Sequence, residues 1–371
     1  MKISVEKSSI FKSLSYVQSI VEKKNTIPVL SNVLIQAKDN NLILSATDMD
    51  ISITAQLNCN VIEEGFVTVS AHTLYDIIRK LPDGNEVEFI SNDGKIFSIR
   101  SGKSKFSLGC LPKEDFPIIE VDKLKSEISI QSQELLKLIE KTRFAISNEE
   151  TRYFLNGIYF HMRESGGNQY ISIVATDGHR LAKIDYESNN KPEDIPGVII
   201  PKKTINELCK LLSDYNGTIK IDLDPNKIIF FIDKSVLISK LIDGNFPDYQ
   251  RVIPKDNKNI MTINRNDFCM AVDRVSTITN EKSPVIKFRL LKDLMNMTSA
   301  DSENGLATED IITEYSGEEI EIGFNSKYIL EMINHLTDEK IKLSFNDSSS
   351  PVIATEDSNQ NLIYVLMPMR V

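Results

Sequence analysis

Ser45-Ala46-Thr47-Asp48-Met49-Asp50 lies 129 residues before Val174-Ala175-Thr176-Asp177-Gly178-His179, which lies 124 residues before Thr298-Ser299-Ala300-Asp301-Ser302-Glu303. In each stretch small and apolar residues give way to an aspartate, a side chain that bonds nearby backbone and so favours turns. The same period returns on either side. Helical stretches end at Leu81, Leu212 and Leu336, 131 and 124 residues apart, and apolar strands end at Leu111, Leu241 and Leu366, 130 and 125 apart. Three landmarks in one order set a repeat too long for a solenoid turn and near the usual size of a domain. The 371 residues are therefore expected to form three tandem domains, 1–123, 124–257 and 258–371.

Each third opens with a strand of period 2, marked by Ile3 and Val5, by Ile128 and Ile130, and by Met261 and Ile263. A helical pattern follows, Phe11, Leu14, Val17 and Val21 in the first copy and Leu135, Leu138, Ile139 and Phe144 in the second. Strands come next, and Gly166-Gly167 between one pair suits a turn with positive φ. A second helix then starts behind a polar cap, read as Ser70, Thr204 and Asn325 in the three copies. More strands complete a unit of two helices and about eight strands, an α+β arrangement with the helices on one sheet face.

Hydrophobic residues at 41% and charged residues at 26% are ordinary for a globular protein. Cys59, Cys110, Cys209 and Cys269 are scattered, which reads as small buried apolar residues in a reducing compartment. The opening strand is unlike a signal peptide, and no apolar run approaches the roughly 20 residues that span a bilayer, so a cytoplasmic protein with no membrane partner is expected. The net charge of −10 argues against a nucleic-acid partner until it is divided by element. Helical windows 7–24, 71–80, 133–143, 202–212, 265–278 and 326–336 together carry +7, leaving −17 on the rest. Basic helices on one side of head-to-tail copies would hold a polyanion without reading its sequence. Three copies in an arc leave two unpaired ends, which a closed homo-oligomer would satisfy.

Several runs, in order over the whole chain, carry a family likeness: Arg152-Tyr153-Phe154-Leu155-Asn156-Gly157, Ala175-Thr176-Asp177-Gly178-His179-Arg180-Leu181-Ala182, Asp243-Gly244-Asn245-Phe246-Pro247-Asp248-Tyr249 and the terminal Met367-Pro368-Met369-Arg370-Val371. With them the chain closely resembles the bacterial DNA polymerase III beta subunit, the beta sliding clamp. The resemblance implies the DNA clamp fold, with two helices on a curved antiparallel sheet in each domain, and a head-to-tail homodimeric ring around double-stranded DNA. It implies a non-catalytic processivity role without cofactor. The implied partners are the DNA polymerase III alpha subunit, the clamp loader complex, and other polymerases and repair proteins with clamp-binding motifs.

Carried over by position, the family's peptide-binding cleft falls on Leu155, Thr176, Gly178, His179, Arg180, Leu181, Pro247, Arg251, Val252, Val365, Met367, Pro368, Met369 and Arg370. Methionine and leucine adapt to varied apolar side chains, and the three arginines could clasp polar groups at a rim. DNA contacts fall on Lys24, Arg79, Arg152, Tyr153, Lys202 and Lys203, with Lys12, Lys137 and Lys141 as further candidates from helix position. The dimer seam falls on Phe106 and Leu108 against Thr277 and Ile278. His72-Thr73, Phe154, Thr277 and Pro351 depart from the family's usual residues. Two other readings remain: a hydrolase or transferase using Asp177, His179 and Arg180, and a protein-binding array without nucleic acid. The first lacks any recurring metal-ligand partner, and the second lacks tryptophan.

Overall fold

The computed structural model describes residues 1–22, 26–117, 126–188, 197–223, 225–280, 284–301 and 305–370. Six α-helices appear among them: α1 (Lys7–Ile20), α2 (Ala71–Lys80), α3 (Ser132–Glu140), α4 (Lys202–Ser213), α5 (Arg265–Ser276) and α6 (Ser326–His335). The expected stripe holds at Leu14 and Val17, which with Ile10 and Ile20 are all 0% exposed on one face of α1, whereas Phe11 is only half-buried and Val21 caps the helix. Fully burying such a side chain contributes roughly 1.5–3 kcal/mol.

The Ser70 and Asn325 caps form: Ser70 Oγ accepts from Thr73 N at 3.4 Å and Asn325 Oδ1 from Lys327 N at 3.0 Å. Thr204 is not a cap. The strand Val198–Pro201 runs straight into α4, Lys202 N donates to Asn156 O at 3.0 Å, and Thr204 lies inside the helix with its hydroxyl on Ser239 Oγ. Gly166 and Gly167 take φ values of 60° and 83°, the turn their sequence suggests.

The strands form four antiparallel sheets, and two of them join one repeat to the next. An eight-stranded sheet runs in the order Ser126–Gln131, Thr218–Leu223, Lys227–Ile232, Ser235–Lys240, Ile51–Asn58, Asn41–Thr47, Asn32–Lys38, Gly65–Ser70. Its joint pairs Ser235 with Ala55, Leu237 with Ile53 and Ser239 with Ile51. A nine-stranded sheet has the matching joint one repeat later, where Arg180–Glu187 meets Asn359–Leu366 with Arg180 opposite Leu366 and Leu181 opposite Val365. A five-stranded sheet has Ser104–Gly109 as one end strand and a four-stranded sheet has Gly305–Ile312, each strand with one side unpaired among the described residues.

Contacts therefore gather the chain into two compact units whose boundary passes through the second repeat. The five- and eight-stranded sheets belong to the first unit, the nine- and four-stranded sheets to the second. All four cysteines are free, but only Cys209 is buried. Cys59 and Cys110 are half-buried beside strand ends and Cys269 is half-buried within α5, rather than core residues.

Candidate functional site

In the second unit Thr176-Asp177-Gly178-His179 turns the strand Asn168–Thr176 into Arg180–Glu187. Thr176 Oγ1 donates to Arg180 O at 2.6 Å and accepts from Gly178 N at 3.0 Å. Asp177 Oδ1 accepts from His179 N at 2.9 Å and Arg180 N at 3.0 Å. Glycine at 178 takes φ +89° without strain and leaves room for Arg152, whose Nη1 would stand 2.5 Å from a Cβ. Glu149 holds that guanidinium across the turn, with Arg152 Nε 2.8 Å and Nη2 2.7 Å from its carboxylate.

Beside this turn opens an apolar cleft of about 280 Å³. Leu155, Thr176, Gly178, Arg180, Leu181, Pro247, Val252, Val365 and Met367 line it, with Arg152, Phe154 and Tyr249. Its floor is the cluster Val174, Leu181, Tyr249 and Val365, all at most 5% exposed. Register puts Leu181 and Val365 side by side on one face. The segment 242–256 brings Pro247, Tyr249 and Val252 over that face, and Met367 is fixed by its N–H on His179 O at 2.9 Å. A pocket of this kind accepts large apolar side chains while its few polar groups set orientation.

Nine of the fourteen positions assigned from sequence thus line one cavity. His179, Arg251, Pro368, Met369 and Arg370 do not. Exposed His179 stands beside the Tyr328 ring, and Arg251 pairs with Asp248 at 2.7 Å and borders a neighbouring polar groove. Met369 N bonds Gly323 O at 2.8 Å, and Arg370 is exposed. Arg180 is not a rim clasp. At 9% exposed it spends Nε on Asp177 at 3.0 Å, Nη1 on Glu331 and Nη2 on Phe144 O at 2.7 Å, with its guanidinium 4.4 Å from the Tyr328 ring centroid. Tyr249 and Phe154 were missed as lining residues because segment 242–256 and the turn 150–155 reach the cleft only through tertiary packing. Repeat spacing carries no such signal.

The cations assigned to DNA are more tied than a charge count suggests. Lys24 lies outside the described residues. Arg79 on α2 is 3.0 Å from Asp76, and Lys202 Nζ donates to Asn148 at 2.7 Å. Lys203 reaches Asp48 and Glu22. Against a burial that pulls the other way, those two carboxylates hold its ammonium above its ordinary pKa. Tyr153 is 53% exposed, whereas Arg152 faces the cleft. Lys141 is not an outward cation: it is 8% exposed, donates to His335 O at 2.6 Å and lies 3.3 Å from Glu356. Lys12 and Lys137 are exposed, with no ion pair among the described residues. On the seam positions, Phe106 is 37% exposed on the edge strand Ser104–Gly109, Leu108 is half-buried, and Thr277 and Ile278 follow α5.

No acid–base pair assembles at Asp177, His179 and Arg180, because the aspartate oxygens close the turn and the arginine is fully used. Among the described residues no group of three His, Cys, Asp or Glu side chains could hold a metal. None of their helices is long and apolar enough to cross a membrane. Fold and cleft together define a repeat protein that binds rather than catalyses.

Comparison with known proteins agrees over the whole chain. Residues 1–120, 129–248 and 250–370 match the N-terminal, central and C-terminal domain models of the DNA polymerase III beta subunit. The beta sliding clamps of Caulobacter vibrioides (strain NA1000 / CB15N) and Rickettsia felis are 43% and 35% identical, each over the full length of both chains. Among solved structures, Caulobacter crescentus pol III beta superposes with a TM-score of 0.95 at 43% identity, covering all of both chains. The Bartonella birtlesii sliding clamp bound to griselimycin does so at 0.96 and 42%, again covering both fully. The chain belongs to the DNA polymerase III beta subunit family. It has three tandem clamp domains, and its function is that of a DNA sliding clamp, a processivity factor rather than a catalyst.

Proposed function

We propose that the chain closes head to tail with a second copy into a ring around double-stranded DNA, and that the cleft beside Asp177 captures a short apolar segment of each client protein. One observation carries the ring. At the two internal joints, strand 235–240 pairs with 51–58 and strand 359–366 pairs with 180–187. Counted along the repeats, the strand equivalent to 235–240 and 359–366 in the first copy is Ser104–Gly109. The strand equivalent to 51–58 and 180–187 in the third is Gly305–Ile312. Among the described residues each of these two strands ends its sheet with one side unpaired, and they carry exposed apolar residues: Phe106 at 37%, Leu306 at 68% and Ile312 at 83%. An unpaired apolar edge is a template for pairing with another chain, and closure removes it. The seam would then place Phe106 and Leu108 of one copy near Thr277 and Ile278 of the other. Domains 1–123, 124–257 and 258–371 are the units so joined.

Sequence-independent DNA contact would come from Lys24, Arg79, Tyr153, Lys202 and Lys203, with Arg152 shared with the cleft. Clients fitting such a cleft are the polymerase alpha subunit, the clamp loader, and other polymerases and repair proteins, all met in the cytoplasm. The test is topological. Rings loaded on closed circular DNA should survive a high-salt wash and be lost once the circle is cut, because linkage is independent of phosphate contact while sliding off is not. Equal loss from circular and linear DNA would sink the ring.

A further inference from the structure

The face of the nine-stranded sheet that carries the cleft changes character along its strands. The row nearest the turn holds Thr176, Leu181 and Val365. The next holds Tyr159, Val174, Lys183 and Ile363, and the one beyond holds His161, Ser172 and Asp185. His161 stands at this border between apolar floor and buried charge. Its ring stacks on Tyr159 at 4.6 Å between centroids, and Tyr159 stacks on Phe246 at 4.8 Å. Its Nε2 is 3.0 Å from the Tyr249 hydroxyl and its Nδ1 is 3.1 Å from Met162 O.

Those two contacts fix the proton. A carbonyl oxygen only accepts, so Nδ1 carries hydrogen, and in the neutral ring Nε2 must accept from Tyr249. Protonating Nε2 would set a donor against the Tyr249 hydroxyl, whose own hydrogen would then need a new acceptor. Tyr249 is both His161's partner and a wall of the cleft, so the misfit falls on the cleft floor. We propose that His161 is a positioning residue for the peptide cleft, and that its neutral form holds Tyr249 in the shape that receives an apolar side chain. This rests on the cleft being the client site.

The groups facing His161 decide the direction. From its own strand comes Arg163, from the next Ser172, from the third Lys183 and Asp185, and from the covering segment Tyr249. Burial, together with the Lys183 and Arg163 charges, outweighs Asp185 and the Met162 carbonyl and holds the imidazole below its ordinary value. The neutral, cleft-shaping form is then complete above the ordinary histidine range and is lost as pH falls through the depressed value.

The test uses the full-length protein and a capped peptide that carries two bulky apolar side chains and no titratable group. Affinity should fall roughly three- to tenfold as pH drops from 7.5 through the depressed imidazole transition, the scale of one misplaced hydrogen bond. In His161→Gln, whose amide oxygen accepts the Tyr249 proton at every pH, that drop should largely vanish while pH 7.5 binding stays within about threefold. Tyr249→Phe should flatten the profile as well. A flat wild-type profile, or an unchanged drop in His161→Gln, would overturn the proposal, the latter pointing to another group such as exposed His179. Failure of wild type to bind the peptide at pH 7.5 would instead refute the cleft itself.

Discussion

The Asp48 and Asp177 turns are one local structure put to two uses. Thr47 Oγ1 donates to Ile51 O at 2.9 Å and accepts from Met49 N at 3.0 Å, as Thr176 does with Arg180 and Gly178. Asp48 Oδ1 accepts from Asp50 N at 2.9 Å and Ile51 N at 2.8 Å, as Asp177 does one repeat on. Met49 at φ 81° and Gly178 at φ 89° occupy the same left-handed position. The second aspartate oxygen then takes different cations. Asp48 meets Lys203, whose side chain is 39% exposed, whereas Asp177 meets Arg180, at 9%. At Gly178 the missing side chain lets the Arg152 guanidinium close over the turn; at Met49 a 44% exposed side chain projects instead. The backbone recipe is shared, and the cleft comes from what stands on it.

If burial separates the two turns, their cations should differ most. Arg180→Ala strands Asp177 and leaves the part-buried Phe144 carbonyl without its donor, so denaturant unfolding should lose about 3 kcal/mol. Lys203→Ala, which removes a half-exposed cation from Asp48, should lose about 1 kcal/mol. Equal losses would break the comparison. Next comes position 178. Gly178→Ala meets both the positive φ and the Arg152 guanidinium, so it should cost about 1–2 kcal/mol and weaken apolar-peptide binding roughly tenfold. Met49→Gly relieves the same dihedral while freeing the unfolded chain, and its melting free energy should move by less than about 1 kcal/mol. Among the terminal methionines, Met367→Ala should weaken the peptide more than Met369→Ala by fluorescence titration, because only the first lines the cavity. The smallest change belongs to Asp48→Asn, which keeps an acceptor for both backbone N–H groups and should shift stability by about 0.5–1 kcal/mol in a salt-dependent way.

The repeat, the opening strands and the amphipathic helices were legible because burial periodicity is written locally: Ile3 and Val5 alternate, and Leu14 and Val17 share a stripe. The Asp177 turn was legible for the same reason, with donor and acceptors only three residues apart. Helix charge pointed the right way but overcounted the free cations. Lys7, Lys141, Lys203 and Lys210 all count as basic, yet each meets a carboxylate, and all but Lys210 do so from distant sequence. Thr204 looked like a cap because a threonine before an apolar run usually is one. Only the strand entering at Pro201 starts the helix two residues earlier. Nothing local places Tyr249 against Leu181, so the cleft's floor could be assigned only by likeness or seen in three dimensions.

The most direct test labels the methyl groups of the ten methionines and follows them by NMR as the capped apolar peptide is added. The Met367 resonance should move and saturate at one peptide per chain while Met49 stays in place. A shift at Met49 that saturates alongside, or a Met367 signal that never moves, would contradict the assignment of the cleft to the Asp177 turn.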